Sequence, residues 1–239
     1  MPEQIKVSFN QIMFFCAQGF YIADKSSDEK ILRAGQLASA LLNKPLTIYT
    51  AMPENIVDGI YSQATLTKGK QADIVISNLL EDSQDIDDES VLAAILSEYY
   101  AKTSKVYYVF ALLLATAAFL ALLFFGIASL FKVIETTQPM RLVFLLSAAA
   151  LTLLFYFIFG NFIVDCWTLK ADKAAIQKSG VDSVKLALVL LKGLFSTQRF
   201  GIPSLNIKLK DKNLTKRIDA LNKMSQNNVS RETITAGNS

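Results

Sequence analysis

The sequence predicts an α+β membrane protein: a mostly helical domain with a small β-sheet, interrupted by a transmembrane helical hairpin. Three observations carry that prediction. Residues 106–131 and 142–164 are apolar runs without a single Asp, Glu, Lys or Arg, each longer than the roughly 20 residues a helix needs to cross a bilayer core. Short β-branched runs bounded by turn residues precede them. Helical segments with charged ends then flank the hairpin on both sides. Composition agrees, with 52% hydrophobic and 19% charged residues, richer in apolar side chains than an ordinary soluble domain.

Taken in chain order, the first apolar run is "IMFFCAQGFYIA", residues 12–23. It is too short to span a membrane, contains Gln and Gly, and lacks the basic flank and small-residue site of a cleaved signal. It reads as a core helix or one lying in the membrane interface. "DEKILRAGQLASALLN" (28–43) is a helix with Asp28 and Glu29 at its favourable N-terminal end. It places Ile31, Leu32, Leu37, Leu41 and Leu42 near one face. "LTIYTA" (46–51) and "ADIVIS" (72–77) read as strands, and "SQATLTKGKQ" (62–71) between them as a third strand and turn. The acidic run "EDSQDIDDES" (81–90) leads into a long amphipathic helix that runs unbroken into the first apolar span.

"KVIETTQPMR" (132–141) makes a tight connection, so the two spans form a hairpin. Tyr107, Tyr108 and Trp167 suit an aromatic belt at one membrane face. Lys102 and Lys105 precede the first span, and Lys170, Lys173 and Lys178 follow the second. The loop carries only Lys132, Arg141 and Glu135. The positive-inside rule puts both ends of the hairpin in the cytoplasm. After it come a helix over 171–180 closed by Gly180, a second over 181–195, and a last over 214–224. The polar residues 225–239 are expected to be disordered.

Charge divides unevenly. Residues 1–105 hold 9 basic and 14 acidic side chains, and residues 169–239 hold 13 basic and 5 acidic. Opposite signs on segments whose ends meet at the hairpin predict that they dock as one domain. The alternative is that the basic tail lies on anionic headgroups, and the two are compatible. No aromatic residues interleave the basic tail in a nucleic-acid-binding pattern, so no nucleic-acid partner is expected. The chain has no histidine, the commonest metal ligand and usual general base near neutral pH. Its two cysteines, Cys16 and Cys166, form no C-x-x-C pair. No metal or cofactor is expected.

In order and spacing, these pieces resemble the HtpX-like membrane zinc metallopeptidases, relatives of the CAAX prenyl proteases. The likeness runs over residues 28–224: strands, "IVISNLLED", an acid-led helix, a hairpin, an "AD" helix and a closing "NLTKRIDAL" helix. The family carries H-E-x-x-H before the hairpin and E-x-x-A-D after it. "SEYYA" fills the first slot, with Ser97 and Ala101 at the histidine positions and Glu98 at that of the general base. "TLKAD" fills the second, with Thr168 at the ligand glutamate and Asp172 matching. "PENIVDG" (53–59) loosely resembles the family's substrate-side segment. The usual additional N-terminal hairpin and the His-Pro before the closing helix are missing from the sequence.

The resemblance therefore implies a metallopeptidase-like domain without zinc. Its division is 1–105 as the N-terminal half of a cytoplasmic pseudo-peptidase domain, 106–164 as the hairpin, 165–224 as the C-terminal half, and 225–239 as tail. Ser97, Glu98, Ala101, Thr168 and Asp172 are its vestigial site positions. With all three ligands replaced, the metal, its activated water and the carbonyl-polarising charge are lost together, so no catalytic residue is assigned. Each position also has an ordinary reading. Glu98 and Lys102 make an i,i+4 surface pair, Asp172 a helix-surface residue, and Tyr99 and Tyr100 packing residues.

The function expected is that of a pseudoprotease acting as a subunit, scaffold or regulator of a membrane complex. Its partners would be integral-membrane proteins, an active membrane protease among the candidates, and the lipid bilayer, in a bacterial-type inner membrane. Gly126, Ala128, Ser129, Ser147 and Ala148 offer close-packing positions on the hairpin. Two alternatives remain open: a membrane-anchored module that grips an extended polypeptide at its edge strands, and an enzyme with a rebuilt, non-zinc site.

Overall fold

The computed structural model describes residues 4–9, 19–51, 64–66, 73–77, 80, 83–133, 138–199 and 212–226. The architecture is mostly helical. Two helices dominate it: α2 (Asp88–Val133, 46 residues) and α3 (Gln138–Ser179, 42 residues). At 1.5 Å per residue they are about 69 and 63 Å long, twice what a bilayer core requires. The excess of each forms part of a head domain. There they pack with α1 (Glu29–Leu42), α4 (Ser183–Arg199) and a closing helix, α5, over residues 212–226.

Short strands complete the head: β1 (Gln4–Phe9), β2 (Gly19–Lys25), β3 (Thr47–Ala51), β4 (Ala64–Leu66) and β5 (Asp73–Ser77), in the order β4-β1-β2-β3-β5. β3 and β5 pair in parallel, with Ile48 opposite Ile74 and Thr50 opposite Ile76. Ile48, Ile74 and Ile76 are buried with Ile31, Ala34 and Ala38 of α1 and with 91–96 of α2 in one core. β3, β4 and β5 fall within the segments 46–51, 62–71 and 72–77. The expected helix over 12–23 is not: Gly19–Ala23 belong to β2, paired antiparallel with β1. Phe20, Tyr21 and Ile22 are good strand formers once a partner strand supplies the hydrogen bonds. Residues 12–18, 53–59 and 227–239 lie outside the described residues.

Helix α1 begins where Asp28 accepts a hydrogen bond from the Ile31 N–H (2.9 Å) and ends at Asn43 in the left-handed conformation (φ 50°). Its buried face differs from the one expected. Leu32 and Leu37 are exposed, and the face against the sheet is Ile31, Ala34, Gly35 and Ala38. Small residues occupy it because helix and strand approach closely. A Cβ on Gly35 would sit 3.0 Å from Ile48 Cγ1.

The acidic approach to α2 is where the surrounding helices meet. Arg33 of α1 pairs with Asp88 (3.0 Å), and Lys30 donates to the Ser83 carbonyl (3.0 Å). From α4, Lys185 pairs with Asp87 (2.6 Å) and with Glu89, and Lys192 with Asp85 (3.1 Å). Side chains of opposite charge from the two sides of the hairpin thus meet in the head. The helix expected over 171–180 is the unbroken end of α3, closed by Gly180 at φ +69°.

The hairpin carries two apolar segments long enough to cross a membrane, Phe110–Ala128 and Val143–Ser179, and only 6% of the most apolar window of each is buried. A soluble core helix of this composition would be covered on most sides. Leu122, Phe124 and Phe125 on α2, and Val143, Leu146, Leu153 and Ile158 on α3, all point outward. Between the helices, Phe119 stacks on Phe155 at 4.2 Å. The small residues expected to pack do not line this seam uniformly. Gly126 faces open space, Ser147 is exposed, Ala128 and Ala148 are half-buried, and the Ser129 side chain lies outside the described set.

Two outcomes follow. Gly35→Val should cost about 1–3 kcal/mol, since β3 cannot recede without breaking its pairing; urea unfolding in detergent measures it. The second concerns acid. Burial pushes the Asp87 carboxyl up, but hydrogen bonds from Lys185 and Ser90 outweigh it and hold the group at about 2 against an ordinary 3.8. A carboxyl with a lower folded pKa stabilises above its unfolded value and loses that contribution as pH falls through the folded one. Head stability should therefore drop from pH 3.8 toward 2, and Asp87→Asn should flatten that limb of a pH-dependent melting series.

Candidate functional site

Three helices bring a buried polar group to the centre of the head. α2 supplies Ser97, eight residues before Lys105 and so about 12 Å above the start of the apolar span. α3 supplies Asp165, Thr168 and Asp172, and α5 supplies Asn213, Lys216 and Arg217. Each set shares one helical face, since spacings of three, four and seven return to the same side. The two sets face each other.

The core of the group is a carboxylate held on both oxygens. Arg217 donates from Nε to Asp172 Oδ2 (2.8 Å) and from Nη2 to Oδ1 (2.7 Å), while the Ser97 hydroxyl donates to Oδ1 (2.6 Å). Arg217 Nη2 also lies 3.5 Å from Ser97 Oγ. The Arg217 and Asp172 side chains are 5% and 1% exposed. Asp172 is thus no helix-surface residue. This is a bidentate guanidinium–carboxylate pair with a third donor, the geometry a buried charge pair needs to offset its desolvation.

Around it lie the other positions. Thr168 is buried; its hydroxyl donates back to the Val164 carbonyl (2.9 Å) and accepts from Asn213 Nδ2 (3.2 Å). Asn213 also donates to Asp165 (2.6 Å), which pairs with Lys216 as well. Glu98 is 6% exposed, so water does not solvate it. Tyr99 is buried, lies edge-on to Tyr100, and has Lys44 Nζ 6.0 Å from its ring centroid. Ala101 contributes its carbonyl, which accepts the Trp167 indole N–H (2.8 Å); the same N–H lies 2.9 Å from Ser104 Oγ. Trp167 is 1% exposed and stacked on Tyr108. It fastens α3 to α2 and is not a lipid-facing belt residue. Tyr107 is exposed as a belt residue would be.

The positions matched to zinc ligands do not fit a zinc ion. Ala101 has no donor atom in its side chain, the Ser97 hydroxyl is committed to Asp172, and the Thr168 hydroxyl is committed to its own helix. The positive charge of the site is the Arg217 guanidinium. Among the described residues no three His, Cys, Asp or Glu side chains cluster as a metal would need.

Of the residues singled out from the sequence, Ser97 and Asp172 are in direct contact; Thr168, one turn before Asp172 on α3, meets Asn213, and the Ala101 carbonyl meets Trp167. Arg217, Asn213, Lys216 and Asp165 were not marked as site residues. The signal was present: two matching polar stripes, 165/168/172 and 213/216/217. No protein-family profile, curated protein or solved structure matches the chain.

Removing one member of the buried pair strands the other. Arg217→Met or Asp172→Leu should each cost about 3–5 kcal/mol, while the two combined should recover most of the loss. Denaturation of the four proteins closes this cycle; equal, additive losses would show the pair to be uncoupled.

Proposed function

We propose that this chain is a membrane-anchored pseudoprotease of the HtpX-like type, serving as a non-catalytic subunit, scaffold or regulator of a membrane complex. Its membrane would be a bacterial-type inner membrane with the head on the cytoplasmic side. The single observation that carries the reading is the convergence of Ser97, Asp172 and the closing-helix residue Arg217 at one buried point. Those are the places where the resemblance puts a metal helix, an "AD" helix and a closing helix. A metallopeptidase-like head keeps such a framework while an internal ion pair replaces the metal. The same cross-link leaves Glu98 no zinc-bound water to deprotonate.

An outward apolar hairpin joined rigidly to such a head suits association with other integral-membrane proteins. Purification of the tagged protein in mild detergent tests the reading. A stoichiometric integral-membrane partner, no bound zinc and no peptidase activity are expected. A lone monodisperse chain would remove the subunit role, and cleavage of unfolded substrates abolished by Glu98→Gln would remove the non-catalytic one.

One observation favours the polypeptide-binding alternative in a narrowed form. Of the two strands expected to offer edges, β3 is interior, between β2 and β5, whereas β5 is the last strand of its sheet. Of those two, only β5 leaves an edge to which an extended peptide could add. Photo-crosslinkers along 73–77 that capture only neighbouring segments of this chain would eliminate it.

A further inference from the structure

We infer that the outer face of α3, where it emerges from the apolar hairpin, is a contact site for anionic phospholipid headgroups, made by Lys170 and Lys173. This rests on the reading that the hairpin spans a membrane and adds to it a preference for one lipid class. Exposed α3 residues Leu151, Leu154, Ile158 and Phe162 lead along its outer side to Cys166, Lys170, Lys173 and Gln177. From Phe162 onward, steps of four and three keep one face, so an apolar stripe turns basic without changing side.

The charges of this segment are sorted. Asp165 is turned toward α5 and neutralised by Lys216, and Asp172 is buried against Arg217. Lys170, Lys173 and Lys178 are exposed and make no ion pair among the described residues, whereas Lys185, Lys192 and Lys216 of the same charged half all do. The outward face therefore presents positive charge with no internal anion to cancel it.

Chain direction selects α3 over α2. Side chains of a helix tilt toward its N-terminus. α3 enters the head from the membrane, so its lysines lean back toward the bilayer; α2 runs the other way, and its side chains lean toward the head. Lys170 lies six residues past Val164, about 9 Å along the helix, and Lys173 about 14 Å. A headgroup layer is about 5–8 Å deep, so a stem leaning back by roughly one turn brings the first ammonium into it and the second to its rim. Lys178, about 21 Å out, is beyond reach. The occupant is a phosphodiester headgroup of a lipid in the adjacent leaflet, attracted by charge.

The lipid itself can be made the reporter. The full chain carrying Cys16→Ser and a bimane on the exposed Cys166 is reconstituted in phosphatidylcholine vesicles with increasing brominated phosphatidylglycerol. Quenching gives the relative occupancy of the two lipids beside the stripe. Phosphatidylglycerol should be favoured, by about five-fold for each lysine near the surface. Lys170→Gln should lose the larger part and Lys173→Gln less; the double variant should approach no preference, and Lys178→Gln should keep it. Equal quenching by bromo-phosphatidylglycerol and bromo-phosphatidylcholine in the parent would overturn the inference, as would an equal loss in Lys178→Gln. Release of the protein from vesicles by alkaline carbonate would overturn the spanning reading beneath it. Neither result bears on whether a protein partner co-purifies.

Discussion

The head depends on how the Asp172 carboxylate is satisfied. An ionised carboxylate at 1% exposure would cost several kcal/mol if left alone, and the only way to keep it there is to bring donors from elsewhere in the chain. Arg217 comes from 45 residues away and Ser97 from 75. Satisfying one buried charge therefore fixes three helices in register. The neighbouring contacts repeat the arrangement one and two turns lower on α3: Thr168 and Asp165 receive Asn213, and Trp167 reaches the Ala101 carbonyl. Together they hold α5 along α3 and α3 against α2 from the centre of the head to the base of the hairpin.

Because α2 and α3 continue from the hairpin into the head, the same contacts set the head on its anchor. No flexible joint separates Phe110 from Ser97; both stand on one helix. The Trp167 clasp lies where the two helices leave their apolar stretches, so their spacing there is determined by an indole and two hydrogen bonds and not by lipid. Below it the seam is looser, and aromatic stacking replaces polar contact. A hairpin clasped at one end in this way carries its exposed apolar side chains on two helices whose spacing is set within the head.

Much of this was legible in the sequence. The apolar runs, the acidic N-terminal end of α1, the β3 and β5 strands and the charge complementarity across the hairpin all follow from composition and period. The failures have specific causes. Leu32 and Leu37 drew the buried face of α1 toward the large residues, whereas close approach to Ile48 selected Ala34, Gly35 and Ala38. Residues 19–23 were read as helix because strand pairing is non-local, and β1 supplies the partner. Trp167 was placed in an aromatic belt by its position along the chain, yet its indole N–H found a carbonyl on α2. Asp172 and Glu98 looked like surface residues because ionisable side chains seldom lie buried, and the cation that pairs with Asp172 sits 45 residues later.

The lysines of the C-terminal half show how one excess of positive charge serves two purposes. Lys185 and Lys192 of α4 face acids at the start of α2, and Lys216 and Arg217 of α5 face acids of α3. The lysines on the outer side of α3 face none. A net count gives +8 for residues 169–239; among the described residues, some of these cations pair with acids of the fold and some are left outward. Docking of the two halves and attraction to a lipid surface were both open at the level of composition. The helix faces of the described lysines show how the two can coexist, because a helix that pairs its acids inward is free to present its bases outward.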